Sequence, residues 1–297
     1  MLIYHKLGDA QGDPERELVP ALDAGLFEAH LVHLASRYRV VPAAEIRDAA
    51  SARRRGERFP AAISFDDDLA SHAALALPAL RRTGLPATFF LSGASLEGPH
   101  RFWWERLQAA ADRGVDLAAA LGPSVRPDGD GIHGWALAIE SSTADERGRA
   151  AAALEERVGP DPPESGMRSG DVLALVQAGL DVGFHTLRHH RLPLLDDAEL
   201  AASMREGREE LERVVGRRVR SISYPHGKAD ARVAAAAREA GYDWGFTGVA
   251  EAVTPASDPL LLPRVEVEQS SPAGFARQLV ATLERARSGS GGAPTLG

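Results

Sequence analysis

The chain has 297 residues, of which 44% are hydrophobic and 26% charged. This is ordinary globular usage at a length that one elaborated α/β domain commonly reaches, so disorder, collagen and fibrous classes are excluded for its bulk. The net charge of −8 sets 34 Lys+Arg against 42 Asp+Glu, with Lys6 and Lys228 the only lysines, so no polybasic arm argues for nucleic acid or an anionic membrane. Zero cysteines exclude disulfides, thiolate catalysis and sulfur-ligated metals.

In chain order, residues 2–5 predict a first strand ending on His5, and no charged leader, apolar segment or small-residue cleavage site precedes it. The expectation from that start is a cytoplasmic protein. Helices over 26–36 and 43–54, a strand over 61–65, a helix over 72–82 and a strand over 87–91 follow. The apolar run 73–80 is short and interrupted by Pro78, far below the ~18–20 residues of a membrane span. From about 98 to 166 the alternation lapses into helices separated by Gly/Pro-rich loops, which reads as a helical insertion. A helix over 171–177, a strand over 181–184, a helix over 198–215 and a strand over 219–223 come next. A helix over 232–239, strands over 243–246 and 260–267 and a helix over 272–287 complete the pattern, and the Gly/Ser-rich end 288–297 reads as a flexible tail. One domain over 1–287 is therefore expected. Its βαβα order implies mostly parallel strands with crossover helices, with chemistry at the C-terminal strand ends.

Three strand ends carry candidate chemistry. Strand 61–65 ends on Asp66-Asp67-Asp68; crowded like charges need a cation or a proton, although an acidic turn capping the next helix would look the same. Strand 181–184 ends on His185-Thr186-Leu187-Arg188-His189-His190, and two histidines four apart on a helical turn can offer two imidazole nitrogens to one cation. Together with the Asp pair they supply a two-histidine, one-carboxylate set with open coordination positions. Strand 219–223 leads into Tyr224-Pro225-His226-Gly227, a tight turn that can aim backbone N–H groups at an oxyanion.

These segments resemble the polysaccharide deacetylases with NodB homology, carbohydrate esterase family four. Ser64-Phe65-Asp66-Asp67-Asp68 is similar to the family's Thr-Phe-Asp-Asp-Gly, His185-Thr186-Leu187-Arg188-His189 matches its His-Ser/Thr-x-x-His, and Tyr224-Pro225-His226-Gly227 falls where Arg-x-Pro-Tyr is expected. The resemblance extends over about residues 1–285. It implies a distorted (β/α)7 barrel that removes N-acetyl groups from an amino-sugar-containing carbohydrate with one divalent metal ion, often zinc. Carried onto these positions, Asp67, His185 and His189 are the metal ligands and Asp66 is the general base for water activated by the metal. The metal and the His226 backbone N–H then hold the oxyanion.

The sequence departs from the family at three points. Asp68 replaces the motif glycine, and Ser223 stands where an arginine balances the catalytic aspartate, leaving Arg264 as a substitute or as a surface salt-bridge residue. No histidine follows His226, so the family's C-terminal general acid has no counterpart; His5 and His226 are the candidates. His190 is the alternative ligand if the register slips by one. Of Trp103 and Trp104, at most one stacks on a sugar, because adjacent helical residues point apart. A weak or inactive carbohydrate-binding protein, or a hydrolase of another acyl group, remain open alternatives. No nucleic-acid partner and no membrane span are expected.

Overall fold

A computed structural model of the chain describes residues 1–268 and 271–288. Seven short parallel strands form one curled sheet: β1 (Leu2–Tyr4), β2 (Ile63–Asp66), β3 (Thr88–Leu91), β4 (Asp181–Phe184), β5 (Ser221–Ser223), β6 (Trp244–Phe246) and β7 (Val265–Glu266). Their order is β6-β5-β4-β3-β2-β1-β7, with Leu2 opposite Ile63, Phe65 opposite Phe89 and Phe90 opposite Gly183. The two edges meet at a parallel bridge between Phe246 and Leu262, where Thr247 N donates to Leu262 O at 2.9 Å. This is the distorted (β/α)7 barrel, closed through a single seam.

The strands are apolar on both faces because helices cover one side and the barrel interior fills the other. Phe65 stacks on Phe89 at 4.5 Å on the helix-facing side, within a cluster that includes Phe27 and Leu31. One residue further on, Phe90 turns inward to meet Phe246 at 5.1 Å, beside Ala62 and Leu262.

The helices are α1 (Ala24–Arg37), α2 (Ile46–Ala52), α3 (Leu77–Thr83), α4 (Trp103–Asp112), α5 (Leu117–Leu121) and α6 (Gly131–Glu140). Continuing along the chain, they are α7 (Ala144–Val158), α8 (Ser169–Gln177), α9 (Asp197–Ser203), α10 (Arg208–Val215), α11 (Ala231–Glu239) and α12 (Pro272–Ser288). The helix expected over 198–215 is broken at Gly207, which sits at φ +80° with the Leu187 side chain against the place a Cβ would take. The helix expected over 72–82 opens as a π turn over His72–Ala76, because Pro78 has no N–H for the α ladder. Pro263 likewise reduces the strand expected over 260–267 to Val265–Glu266, since it cannot donate to a ladder. Of the tail expected over 288–297, Ser288 ends α12 and residues 289–297 lie outside the described residues.

Between β3 and β4, helices α4 to α7 build their own apolar centre around Leu107, Ile139, Leu154 and Val158. That centre is what carries α6 to the rim of the barrel. No helix among the described residues is long and apolar enough to cross a membrane.

Candidate active site

Asp66 is the last residue of β2, and its side chain points inward, like that of Ser64. Arg264 meets it from the segment leading into β7: Nη1 donates to Oδ1 at 2.8 Å and Nη2 to Oδ2 at 2.7 Å. The guanidinium is fully buried and also donates to Ser64 Oγ and to Thr247 O, both at 3.1 Å. Ser223 Oγ adds a hydrogen bond to Asp66 Oδ2 at 2.9 Å. Burial alone would raise the Asp66 pKa, but the guanidinium outweighs it and holds the carboxyl well below the usual range. Asp66 is thus a buried carboxylate held in its ionised form by Arg264.

Its neighbour is pushed the other way. Asp67 is buried and faces Asp66, Asp68 and Glu105; burial first and those charges second raise its pKa well above the ordinary value. The backbone at Asp67 is left-handed (φ +71°), which swings its side chain off the strand direction and toward β4. There His185 Nε2 lies 3.5 Å and His189 Nε2 3.4 Å from Asp67 Oδ1. His185 Nδ1–H donates to Ser223 O at 2.8 Å, which fixes the tautomer and leaves Nε2 as a lone pair. Burial, with His226 and His185 adding to it, keeps the His189 ring neutral.

The two histidines converge by a route other than the expected helical turn. Residues 185–190 form an irregular loop in which Thr186 (φ +57°) and His189 (φ +49°) are left-handed. With Asp67 and His226 (φ +58°), these are the non-glycine residues of positive φ among the described residues, and all four surround this site. Strain concentrated in this way marks a functional site.

A divalent cation fits the trio. Asp67 Oδ1 is buried without a hydrogen bond, and the donor atoms of Asp67, His185 and His189 lie within 4.8 Å of one another. Neutral imidazoles and one carboxylate are the donor set of catalytic zinc-type centres. Asp68 stands outside it, since its carboxylate accepts from Ser92 N and Ser92 Oγ, both at 2.7 Å, and ties β2 to the end of β3. His190 is half-buried and is not one of the three donors.

The site opens into a cavity of about 990 Å³ whose lining also includes His5, His226, Arg264 and Glu140. His5 follows β1, and its Nδ1 lies 3.5 Å from Glu266 Oε1. His226 sits in the turn Pro225–Gly227, with its ring 4.6 Å from that of His189 and Nδ1 3.3 Å from Glu140 Oε1. Burial, with His185 and two arginines adding to it, lowers the His226 pKa to about 3. Trp104 is buried, stacked on Phe102 at 4.4 Å and set against His189 at 4.6 Å, so it packs that ring; both Trp104 and Trp103 line the cavity.

Of the residues singled out from the sequence, His5, Asp66, Asp67, Trp103, Trp104, His185, His189, His226 and Arg264 line one cavity, whereas Asp68, His190 and Ser223 do not. Missed were Glu140, delivered by α6 from a distant segment, and His133, whose ring also lines the cavity. His133 carries no metal-ligand or catalytic spacing of its own, and only the helical spacing of His133 and Leu137 could have placed them on one face.

Comparison with solved structures gives the fold independently. The Streptococcus pyogenes deacetylase PplD in complex with acetate is 15% identical, with 95% of this chain and 96% of that one covered at a TM-score of 0.63. IcaB from Ammonifex degensii is 19% identical over 94% of each chain, at 0.61. A de-N-acetylase from Aggregatibacter actinomycetemcomitans is 16% identical over 93% of this chain and 97% of that one, at 0.60. No curated protein matches the sequence. The profile of the family described as polysaccharide deacetylase matches residues 53–119 and 144–245, more than half of the chain, and covers both the Asp66-Asp67 and the His185…His189 strand ends. The chain belongs to the polysaccharide deacetylase family.

Proposed function

We propose that the protein is a divalent-metal-dependent hydrolase that removes the N-acetyl group from an amino-sugar-containing carbohydrate. The observation that carries this reading is the separation of two adjacent carboxylates: Asp66 is neutralised by Arg264, while Asp67 is left to two neutral imidazoles. Asp67, His185 and His189 would hold the ion, and their donor set suits zinc. When bound, the ion supplies Lewis-acid chemistry, lowering the pKa of a water and polarising the acetamide carbonyl.

The remaining work falls to the chain's own groups. Asp66 is ionised at neutral pH and accepts the proton of the attacking water, while Arg264 and Ser223 fix the carboxylate plane. The His226 N–H makes no hydrogen bond among the described residues and is offered to the developing oxyanion. His5, with Glu266 to orient and charge-balance its imidazole, protonates the leaving amine. His226 suits that task less well, because a group of pKa about 3 carries no proton to give near pH 7.

The test is acetate release from N-acetylated chito-oligosaccharides, with and without chelation. Release that is abolished by a chelator, restored by zinc or cobalt and lost in Asp66→Asn without loss of metal supports the reading. Full activity in Asp66→Asn would sink it.

A further inference from the structure

The wall of the cavity is uneven around the barrel. Over β1 to β5 three segments stand up: the loop after β1 contributes Pro14 and Leu18, α4 contributes Trp103, and α6 contributes Leu137. They are fastened to one another. Leu18 N donates to Gln108 Oε1 at 2.9 Å, Gln108 Nε2 to Arg16 O at 3.2 Å and His133 Nε2 to Pro14 O at 3.0 Å. At its far end α6 reaches the turn after β5, where Glu140 faces His226. The result is one continuous parapet running from β1 to β5.

Over β6 and β7 the lining has another character. Gly248, just after β6, meets Gly227 of the turn after β5 backbone to backbone, its N donating to Gly227 O at 2.9 Å, and has no side chain to raise a wall. Beyond Gly248 the chain turns to the opposite end of the barrel, where Val253 and Pro255 line a separate apolar cavity together with Met1. The rest of this side of the lining comes from Glu266, Val267 and Glu268, and no helix among the described residues contributes to it. A polymer deacetylated at an internal unit must leave the reactive sugar in two directions. A parapet closed from β1 to β5 leaves one.

The geometry points to a blind-ended site: the substrate enters over β6 and β7 and presents a terminal or free-standing N-acetylated sugar, not an internal unit of a polysaccharide. This inference rests on the deacetylase reading and refines its substrate. The apolar faces of Trp103, Leu18 and Leu137 supply the surface against which the last sugar ring would pack.

The experiment uses the zinc-loaded protein and N-acetyl-chito-oligosaccharides from dimer to hexamer, tagged at the reducing end, with the deacetylated position read by fragmentation mass spectrometry. Expected is loss of acetyl from one terminal unit, with internal units slower by about tenfold or more and kcat/KM nearly independent of length. Preferred deacetylation of internal units, or kcat/KM climbing about tenfold with length as subsites on both sides would give, overturns the inference and leaves the deacetylase reading standing. No acetate from any oligomer overturns that reading and this inference with it. Gln108→Ala, which unfastens the loop after β1 without touching the cavity lining, should raise the internal share about tenfold. An unchanged product pattern in folded Gln108→Ala would show that the fastened wall does not set the position of attack.

Discussion

Arg264 and Asp66 are 198 residues apart in the chain, yet they form a two-pronged ion pair inside the barrel at 2.8 and 2.7 Å. The pair joins the C-terminal end of β2 to the seam of the sheet. Ser223, at the position where the family resemblance places an arginine, adds only a hydroxyl donor to the same carboxylate.

Arg264→Lys keeps a charge but loses the fork, and one ammonium cannot serve Asp66, Ser64 and Thr247 together. We expect kcat to fall by about 10²–10³-fold with metal content unchanged. Arg264→Ala, which leaves a buried carboxylate without its partner, should also lower stability by about 3–5 kcal/mol in denaturant unfolding.

His189→Ala and Asp67→Asn should each abolish metal retention in elemental analysis of the dialysed protein, against about one ion per chain in the wild type. Asp67→Asn should at the same time leave the fold intact or firmer, because it removes a carboxylate that burial and its neighbours push toward protonation. A wild-type protein that retains no divalent ion after zinc is supplied contradicts the assignment.

The assignment of His5 as acid is testable through the leaving group. An amine leaves only if protonated, whereas p-nitrophenolate leaves unaided. His5→Ala should therefore cut acetamide hydrolysis by about 10²-fold or more while changing p-nitrophenyl acetate hydrolysis by less than about fivefold. Equal losses on both substrates would reduce His5 to a substrate contact.

His72 gives stability a pH dependence. Burial lowers its pKa from 6.5 to about 4, with Nε2–H donating to His5 O at 3.1 Å. Between these values the unfolded chain binds a proton that the folded chain refuses. The stability associated with His72 is therefore complete above pH 6.5, falls as pH drops and is lost below about 4. The loss amounts to about 3 kcal/mol at most. His72→Gln, which keeps the donor to His5 O, should flatten unfolding free energies measured from pH 7 to 4.

Much of this site could be read in the sequence because barrel topology sends strand ends to one face. Asp66-Asp67, His185…His189, His226 and His5 each stand at or just after a strand end, and that placement was enough to gather them. The loop geometry was hidden, since left-handed Thr186 and His189 lack the glycine that normally announces positive φ, and the four-residue spacing of His185 and His189 imitates a helix. Asp68 looked like a third charge at the site. Its partner Ser92 lies at the end of the neighbouring strand, and only the register of β2 against β3 brings them together. Glu140 and the parapet were invisible because the insertion is placed by its own apolar centre, and no local pattern says which way that centre faces.

The single seam has a consequence for how the protein comes into being. At translation rates of about 5–20 residues per second, Asp66 waits roughly 10–40 s on the ribosome before Arg264 is even made. Until then the interior holds a carboxylate with no counter-charge, and the curled sheet has no reason to shut around it. The segment leading into the last strand is thus both the latch of the barrel and the neutraliser of Asp66. A nascent or truncated chain ending before Arg264 would have most of its helices together with Asp67, His185 and His189, and neither a finished barrel nor a charge-balanced Asp66.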